Sequence, residues 1–309
     1  MPLFVITINN LNLPTMIILE NDNIRATFAA KGAELQSLIS KSNNLEYIWD
    51  GNPQFWAKHS PVLFPIVGAL KNNAYRYKGQ PYELSRHGFA RDQEFAVEKV
   101  SDSELVFTVL HSEATLKVYP FEFTLQLRYT LNNEGLSCRY EVYNPGEDVL
   151  LFSIGGHPAF ATPVDERTKY TDYSLRFNRD TELSFHKIQD NLISDETKQI
   201  GLVNRTLALK HELFYEDALV FKTLKSDQIT LRNEITGAGM EFHFEGFPYF
   251  GIWAAKDADF VCLEPWCGIA DGVDHNQELE EKEGIQRLEA GESWSRMWRV
   301  KIILPNRAG

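Results

Sequence analysis

The feature that most constrains this 309-residue chain is an alternation of apolar and polar side chains with a period of two. It is clearest in Phe121-Glu122-Phe123-Thr124-Leu125-Gln126-Leu127-Arg128-Tyr129, where every odd position is apolar and every even one polar. Successive side chains of a strand point to opposite faces, so this run predicts a strand with one buried and one wet face. The spacing recurs at Ile24, Ala26 and Phe28, at Leu105, Phe107 and Val109, at Cys138, Tyr140 and Val142, and at Tyr173, Leu175 and Phe177. It continues to the chain end, at Ile229 with Leu231, at Met240 with Phe242 and Phe244, and at Trp294 with Trp298, Val300 and Ile302. Turn-forming clusters such as Asn144-Pro145-Gly146-Glu147 separate the runs.

Regular helical stretches between strands are missing, which argues against doubly wound and (β/α)8 folds and leaves an all-β chain of two packed antiparallel sheets. No linker or composition shift divides it, so one domain over residues 1–309 is expected. Helix is expected only locally, as a short or broken turn within Ser60–Val67 and in the charged stretch His275–Gly284, which reads equally as a solvated loop.

Charge narrows the partners. With 31 Lys+Arg against 43 Asp+Glu, the net charge of -12 argues against nucleic acid and anionic membrane surfaces. No run of about 18 apolar residues suggests a membrane span. The first residues lack the basic flank and cleavage pattern of a signal peptide. Cys138, Cys262 and Cys267 show neither disulfide nor zinc spacing and read as core thiols in a reducing cytoplasm.

Three segments mix ionisable side chains with Gly, Pro and aromatics. Arg86-His87-Gly88-Phe89-Ala90-Arg91-Asp92 offers donors to hydroxyls or a phosphate, or is a turn with its charges in water. In Leu151 to Phe160, His157 follows an apolar strand and two glycines and precedes a proline, a setting that favours a functional role. In Phe260 to Gly268, Glu264 ends an apolar run. Burial beside Trp266 would raise its proton affinity toward the range of a general acid or base, the other reading being a carboxylate held by backbone amides. Asp217 reads first as a cap at a strand start and second as an acceptor for ligand hydroxyls. Asp271, Asp274 and His275 share a Gly-containing loop whose spacing matches no calcium or zinc motif, so exposure to solvent is expected there. Phosphate-binding loops, the dinucleotide fingerprint and the serine nucleophile elbow are all missing.

These segments, in order, resemble the aldose 1-epimerase, or galactose mutarotase-like, family and its LacX-type branch. The resemblance runs from Gly32-Ala33-Glu34-Leu35 through Leu63-Phe64-Pro65-Ile66-Val67-Gly68, His87-Gly88-Phe89-Ala90-Arg91-Asp92, Gly155-Gly156-His157-Pro158 and Cys262-Leu263-Glu264-Pro265-Trp266 to Leu288-Glu289-Ala290-Gly291. It implies a large antiparallel β-sandwich with a sugar cleft and an enzyme that interconverts the α and β anomers of a free hexose without cofactor or metal. By the same resemblance Glu264 is expected as general base, His157 as general acid, and His87 as a donor to the ring oxygen or a neighbouring hydroxyl. Asp217 is expected to anchor sugar hydroxyls, with Arg86, Arg91, Lys71 and Trp266 as further substrate contacts. One departure stands out: Ala69 occupies the position after Gly68 where family members commonly carry Arg. That change admits a hexose-6-phosphate substrate as an alternative, and a noncatalytic carbohydrate-binding protein is the rival from another class. Nothing in the pattern selects a particular sugar, or a monomer over a homodimer.

Overall fold

A computed structural model describes residues 16–165 and 167–306. The expectation that the chain start carries no signal peptide falls on residues 1–15, outside the described residues. Strand pairing is antiparallel throughout the two large sheets. One has nine strands in the spatial order Thr206–Ala208, Tyr173–Phe177, Gln228–Asn233, Gly239–His243, Ser293–Ile303, Gly135–Tyr143, Thr124–Leu131, Glu104–Leu110 and Ala96–Ser101. The other has eight, in the order Leu192–Gly201, Glu182–Gln189, Leu219–Phe221, Tyr249–Trp253, Phe260–Cys267, Ile154–Gly156 and Val62–Leu63 along one path, with Ala159–Ala161 as a further partner of Phe260–Cys267. A smaller four-stranded sheet, Ile17–Glu20, Ile24–Ala29, Glu34–Ser40 and Leu45–Glu46, carries the first alternating run.

The period-two reading holds where a sheet has one wet face. In strand Thr124–Leu131, Leu125, Leu127, Tyr129 and Leu131 are buried and the residues between them are partly exposed. The ladder begins at Thr124 and not at Phe121, because its neighbour ends at Leu110 and the chain turns there into the short helix Glu113–Val118. Phe121 and Phe123 are nonetheless buried. Between the large sheets the rings interlock: Phe242 lies 5.6 Å from Phe160 and 6.3 Å from Phe250, and Phe250 lies 4.1 Å from Phe244. Each ring so buried contributes roughly 1.5–3 kcal/mol of hydrophobic stabilisation.

Two local expectations are corrected. Ser60–Val67 is extended, with Val62–Leu63 pairing Gly155 and Gly156, because Pro61 and Pro65 cannot donate the hydrogen bonds a helix needs. His275–Gly284 holds a single 3-10 turn, Leu279–Glu281, and is not a solvated loop: Leu279 and Lys282 are buried within it. Asp271, expected in solvent, is also buried, while Asp274 is exposed. All three cysteines are buried and free. Among the described residues no helix is long and apolar enough to cross a membrane.

Candidate active site

Strand Phe260–Cys267 is buried at all eight positions, since it lies inside the sheet and both its faces are covered. Its residues Glu264 and Trp266 share a face with Trp253 of the adjacent strand, opposite the face that packs on the Phe242 and Phe250 rings. The other edge of this strand is occupied twice. Ile154–Gly156 pairs with Cys267 and Trp266, the chain breaks at His157-Pro158, and Ala159–Ala161 pairs again with Cys262 to Phe260. Proline forbids regular pairing at the break, and Leu263 N–H donates to the Pro158 carbonyl at 3.2 Å. Gly155 is required beside it, because a Cβ there would lie 2.5 Å from the Trp266 ring. This interruption sets His157 against Glu264.

The Nε2 of His157 is 3.3 Å from Glu264 Oε1, with only 8% and 2% of these residues exposed. Burial pushes the Glu264 carboxyl well above the usual carboxylate range, and the Arg86 charge offsets only part of this. Burial likewise holds His157 down to about 3, with the Arg86 and Arg91 charges adding to the effect. Burial thus favours the uncharged form of both members of the resting pair. Trp56 stacks on the His157 ring at 4.8 Å, and Trp253 meets its edge at 5.6 Å. His157 Nδ1 and Trp266 Nε1 are buried without a hydrogen-bond partner among the described residues.

These groups line a cavity of about 310 Å³, at the small end of the roughly 300–1,000 Å³ typical of small-molecule pockets. His87, Arg86, Arg91 and Asp217 line it too. The His87 ring stands perpendicular to that of His157 at 5.8 Å and is buried; burial first, and the Arg86 and Arg91 charges with it, hold its pKa well below the usual imidazole value. Arg86 donates to Asn191 Oδ1 at 3.1 Å, and Arg91 to the Arg86 carbonyl at 2.9 Å. Asp217 caps the strand start, its Oδ1 accepting Ala218 N–H at 2.7 Å, and the residue also lines the cavity.

Lys71 does not join them. Its amine lies 3.3 Å from the His275 carbonyl and it is outside the cavity lining, because the turn at Leu70 to Asn73 faces the buried loop after Asp271. Ala69, in the place of the expected Arg, is buried outside the cavity lining, while Arg86 and Arg91 bring guanidinium groups to the cavity from another segment. Sequence reasoning missed Trp56, Trp253, Asn191 and Gly68, all of which line the cavity. The only signal for Trp56 was an aromatic in a stretch rich in Asn, Gly and Pro, without an ionisable neighbour in a recognisable pattern.

The Cys262 thiol lies within 4.8 Å of the ligating atoms of His157 and Glu264. A divalent cation needs deprotonated ligands, whereas burial keeps both this thiol and the Glu264 carboxyl protonated. As built, the cluster suits proton exchange better than cation binding.

Residues 15–299 match the family model described as Aldose 1-epimerase. The chain is 33% identical over 282 residues to Protein LacX, chromosomal, from Lactococcus lactis subsp. lactis, covering 88% of this chain and 94% of that protein. The solved structure of a galactose mutarotase related enzyme from Lactobacillus acidophilus superposes with a TM-score of 0.90 at 32% identity, covering 94% of this chain and 98% of that one. A putative glucose-6-phosphate 1-epimerase from Salmonella typhimurium is 28% identical over 142 residues, 43% of this chain and 44% of that one. A family match across nearly the whole chain, carried by the same antiparallel sheets, makes this protein a member of the aldose 1-epimerase family and an epimerase-like isomerase of sugars.

Proposed function

We propose that the protein interconverts the α and β anomers of a hexose by acid-base opening and closure of the ring. The observation that carries this reading is the 3.3 Å contact between His157 Nε2 and Glu264 Oε1 on the cavity wall. Opening a hemiacetal takes a proton from the anomeric hydroxyl and delivers one to the ring oxygen. Both oxygens are bonded to the same carbon, so the two proton partners must be near neighbours. Glu264 takes the hydroxyl proton and His157 protonates the ring oxygen as the C1–O5 bond breaks and the C1–O1 carbonyl forms. Rotation about C1–C2 presents the other face of the aldehyde, and the two transfers reverse.

One exchangeable proton stays on the pair throughout. A hop across the Nε2–Oε1 contact turns the resting neutral pair into the carboxylate and imidazolium that begin the opening. Opening then passes the imidazolium proton to the ring oxygen and the anomeric hydroxyl proton to the carboxylate, which restores the neutral pair. His87 donates to the ring oxygen or a nearby hydroxyl, Asp217 accepts from sugar hydroxyls, and the Trp56, Trp253 and Trp266 rings offer flat apolar surface to the sugar.

The free hexose is the first substrate reading. Two guanidinium groups on the cavity, Arg86 and Arg91, favour a phosphorylated hexose as the second, since a planar guanidinium suits a phosphate. Polarimetry of freshly dissolved α-glucose, α-galactose and anomerically enriched hexose 6-phosphates, in a buffer without phosphate, tests both. Faster equilibration than buffer for one class, lost in Glu264→Gln, supports the corresponding reading. Buffer rates for every sugar with tight binding by calorimetry would make the protein a carbohydrate binder instead.

A further inference from the structure

His87 meets a donor at each ring nitrogen. The Gly68 amide lies 3.1 Å from Nδ1, and Arg86 Nε lies 3.1 Å from Nε2. A neutral imidazole carries one proton, so it accepts at only one of these positions. The Gly68 amide is the fixed partner. Its residue has a φ of +70° and packs on Ala270 so closely that a Cβ would lie 2.4 Å from the Ala270 Cβ. His87 N–H also donates to the Gly68 carbonyl at 2.8 Å. Arg86, by contrast, is an exposed side chain. Nδ1 is therefore the acceptor and Nε2 carries the proton. An Nε2–H leaves no acceptor for the Arg86 Nε–H now 3.1 Å away, so the exposed guanidinium turns aside and the His87 Nε2–H is free to donate to a ligand oxygen at the cavity.

What fixes Gly68 lies outside the cavity. Asp271 N–H donates to the Ala69 carbonyl at 2.9 Å, and Asp271 Oδ2 accepts Lys71 N–H at 2.9 Å, so one residue grips the turn that follows Gly68. The Asp271 carbonyl accepts Ile193 N–H at 2.9 Å, which ties in the hairpin carrying Asn191. Asp271 Oδ1 is held in turn by Lys282 Nζ at 2.6 Å, with neither side chain exposed. His275 Nδ1 is 3.4 Å from Oδ2 and accepts Gln277 N–H at 3.0 Å, so the lysine is the principal cation on Asp271. A buried ion pair is often replaceable by apolar residues without loss of stability, so stability alone is a weak reason for one here.

We infer that Asp271, its buried charge neutralised by Lys282, is a positioning residue: through the turn after Gly68 it holds the Gly68 amide on His87 Nδ1, which keeps His87 a fixed Nε2–H donor and not a proton-transfer group. The activity consequence rests on the mutarotase reading, whereas the tautomer does not. Nitrogen-15 NMR of the histidine rings in the wild type is the first test, and an Nδ1–H tautomer at His87 would overturn the inference outright. The double substitution Asp271→Leu with Lys282→Met removes the charges and the acceptor for Lys71 N–H. Asp271→Asn with Lys282→Met removes the charges but keeps that acceptor. Lys71→Pro deletes the same hydrogen bond without touching the ion pair, and it follows Leu70, whose extended backbone (φ -90°, ψ 148°) is the conformation a residue before proline takes.

The Leu/Met and Lys71→Pro variants are expected to mix the His87 tautomers and lower kcat by about 10-fold or more with KM within about two-fold, while Asn/Met stays near wild type. If Leu/Met does not fold, Lys71→Pro against Asn/Met decides. Folded variants that keep the wild-type tautomer and kcat would overturn the positioning role. Were no sugar turned over by any protein, the mutarotase reading would fall while the tautomer comparison still stood.

Discussion

Strand Thr124–Leu131 and strand Phe260–Cys267 are both eight residues long and antiparallel, and they treat polar side chains in opposite ways. In the first, Arg128 sits on the partly exposed face and bonds to both Glu104 and Glu141. In the second, Glu264 is fully enclosed, with a neutral imidazole as its close neighbour. A sheet tolerates charge on its wet face at little cost. A carboxyl on a doubly covered strand is pushed toward its neutral form, and such a cost marks a candidate functional group.

The contrast is sharpest in Glu264→Gln. Burial already keeps the carboxyl neutral, so an amide of the same shape should fold with an unfolding midpoint near wild type while the enzymic exchange rate falls by about 10³-fold. Exchange NMR of the anomeric protons, with thermal unfolding alongside, measures both. His157→Gln should lower the rate by about 10²-fold in the same assay, because the protonated partner of the ring oxygen is lost.

Trp56→Ala tests whether enclosure sets the titration. Removing the ring stacked on His157 admits water, so the imidazole's pKa should climb from about 3 toward its ordinary value. The second proton then adds at higher pH, and the acidic loss of kcat/KM should move upward by about one pH unit or more. The smallest effect belongs to the other strand. Arg128→Ala should cost about 1 kcal/mol or less in chemical denaturation and leave turnover unchanged, since its ion pairs are partly exposed. A large activity loss there would break the comparison.

The same contrast explains what was legible. Alternation identified the strands of the half-wet sheet, including the rows through Tyr140 and Phe242, because burial on one face imposes a period of two. His157 and Glu264 stood out as polar groups in apolar, Gly- and Pro-rich company. Strand Phe260–Cys267 has no alternation to reveal which side its carboxyl takes, and its neighbour Trp253 carried no signal of its own. Lys282 was hidden for another reason. Within Glu280-Glu281-Lys282-Glu283 one buried lysine cannot be told from solvated charges, since its burial follows from a partner eleven residues away, Asp271. Lys71 was misplaced because a charge near a motif says nothing of which side of a turn it faces.

An imidazole and a carboxyl that burial drives apart in affinity share one exchangeable proton and between them carry both transfers of the reaction. The pH dependence of kcat/KM for the wild-type protein tests it most directly. The acidic limb should appear only as His157 takes a second proton near about 3, and the basic limb only well above the ordinary carboxylate value. An acidic limb that sets in at the ordinary imidazole pKa of about 6.5 would contradict it.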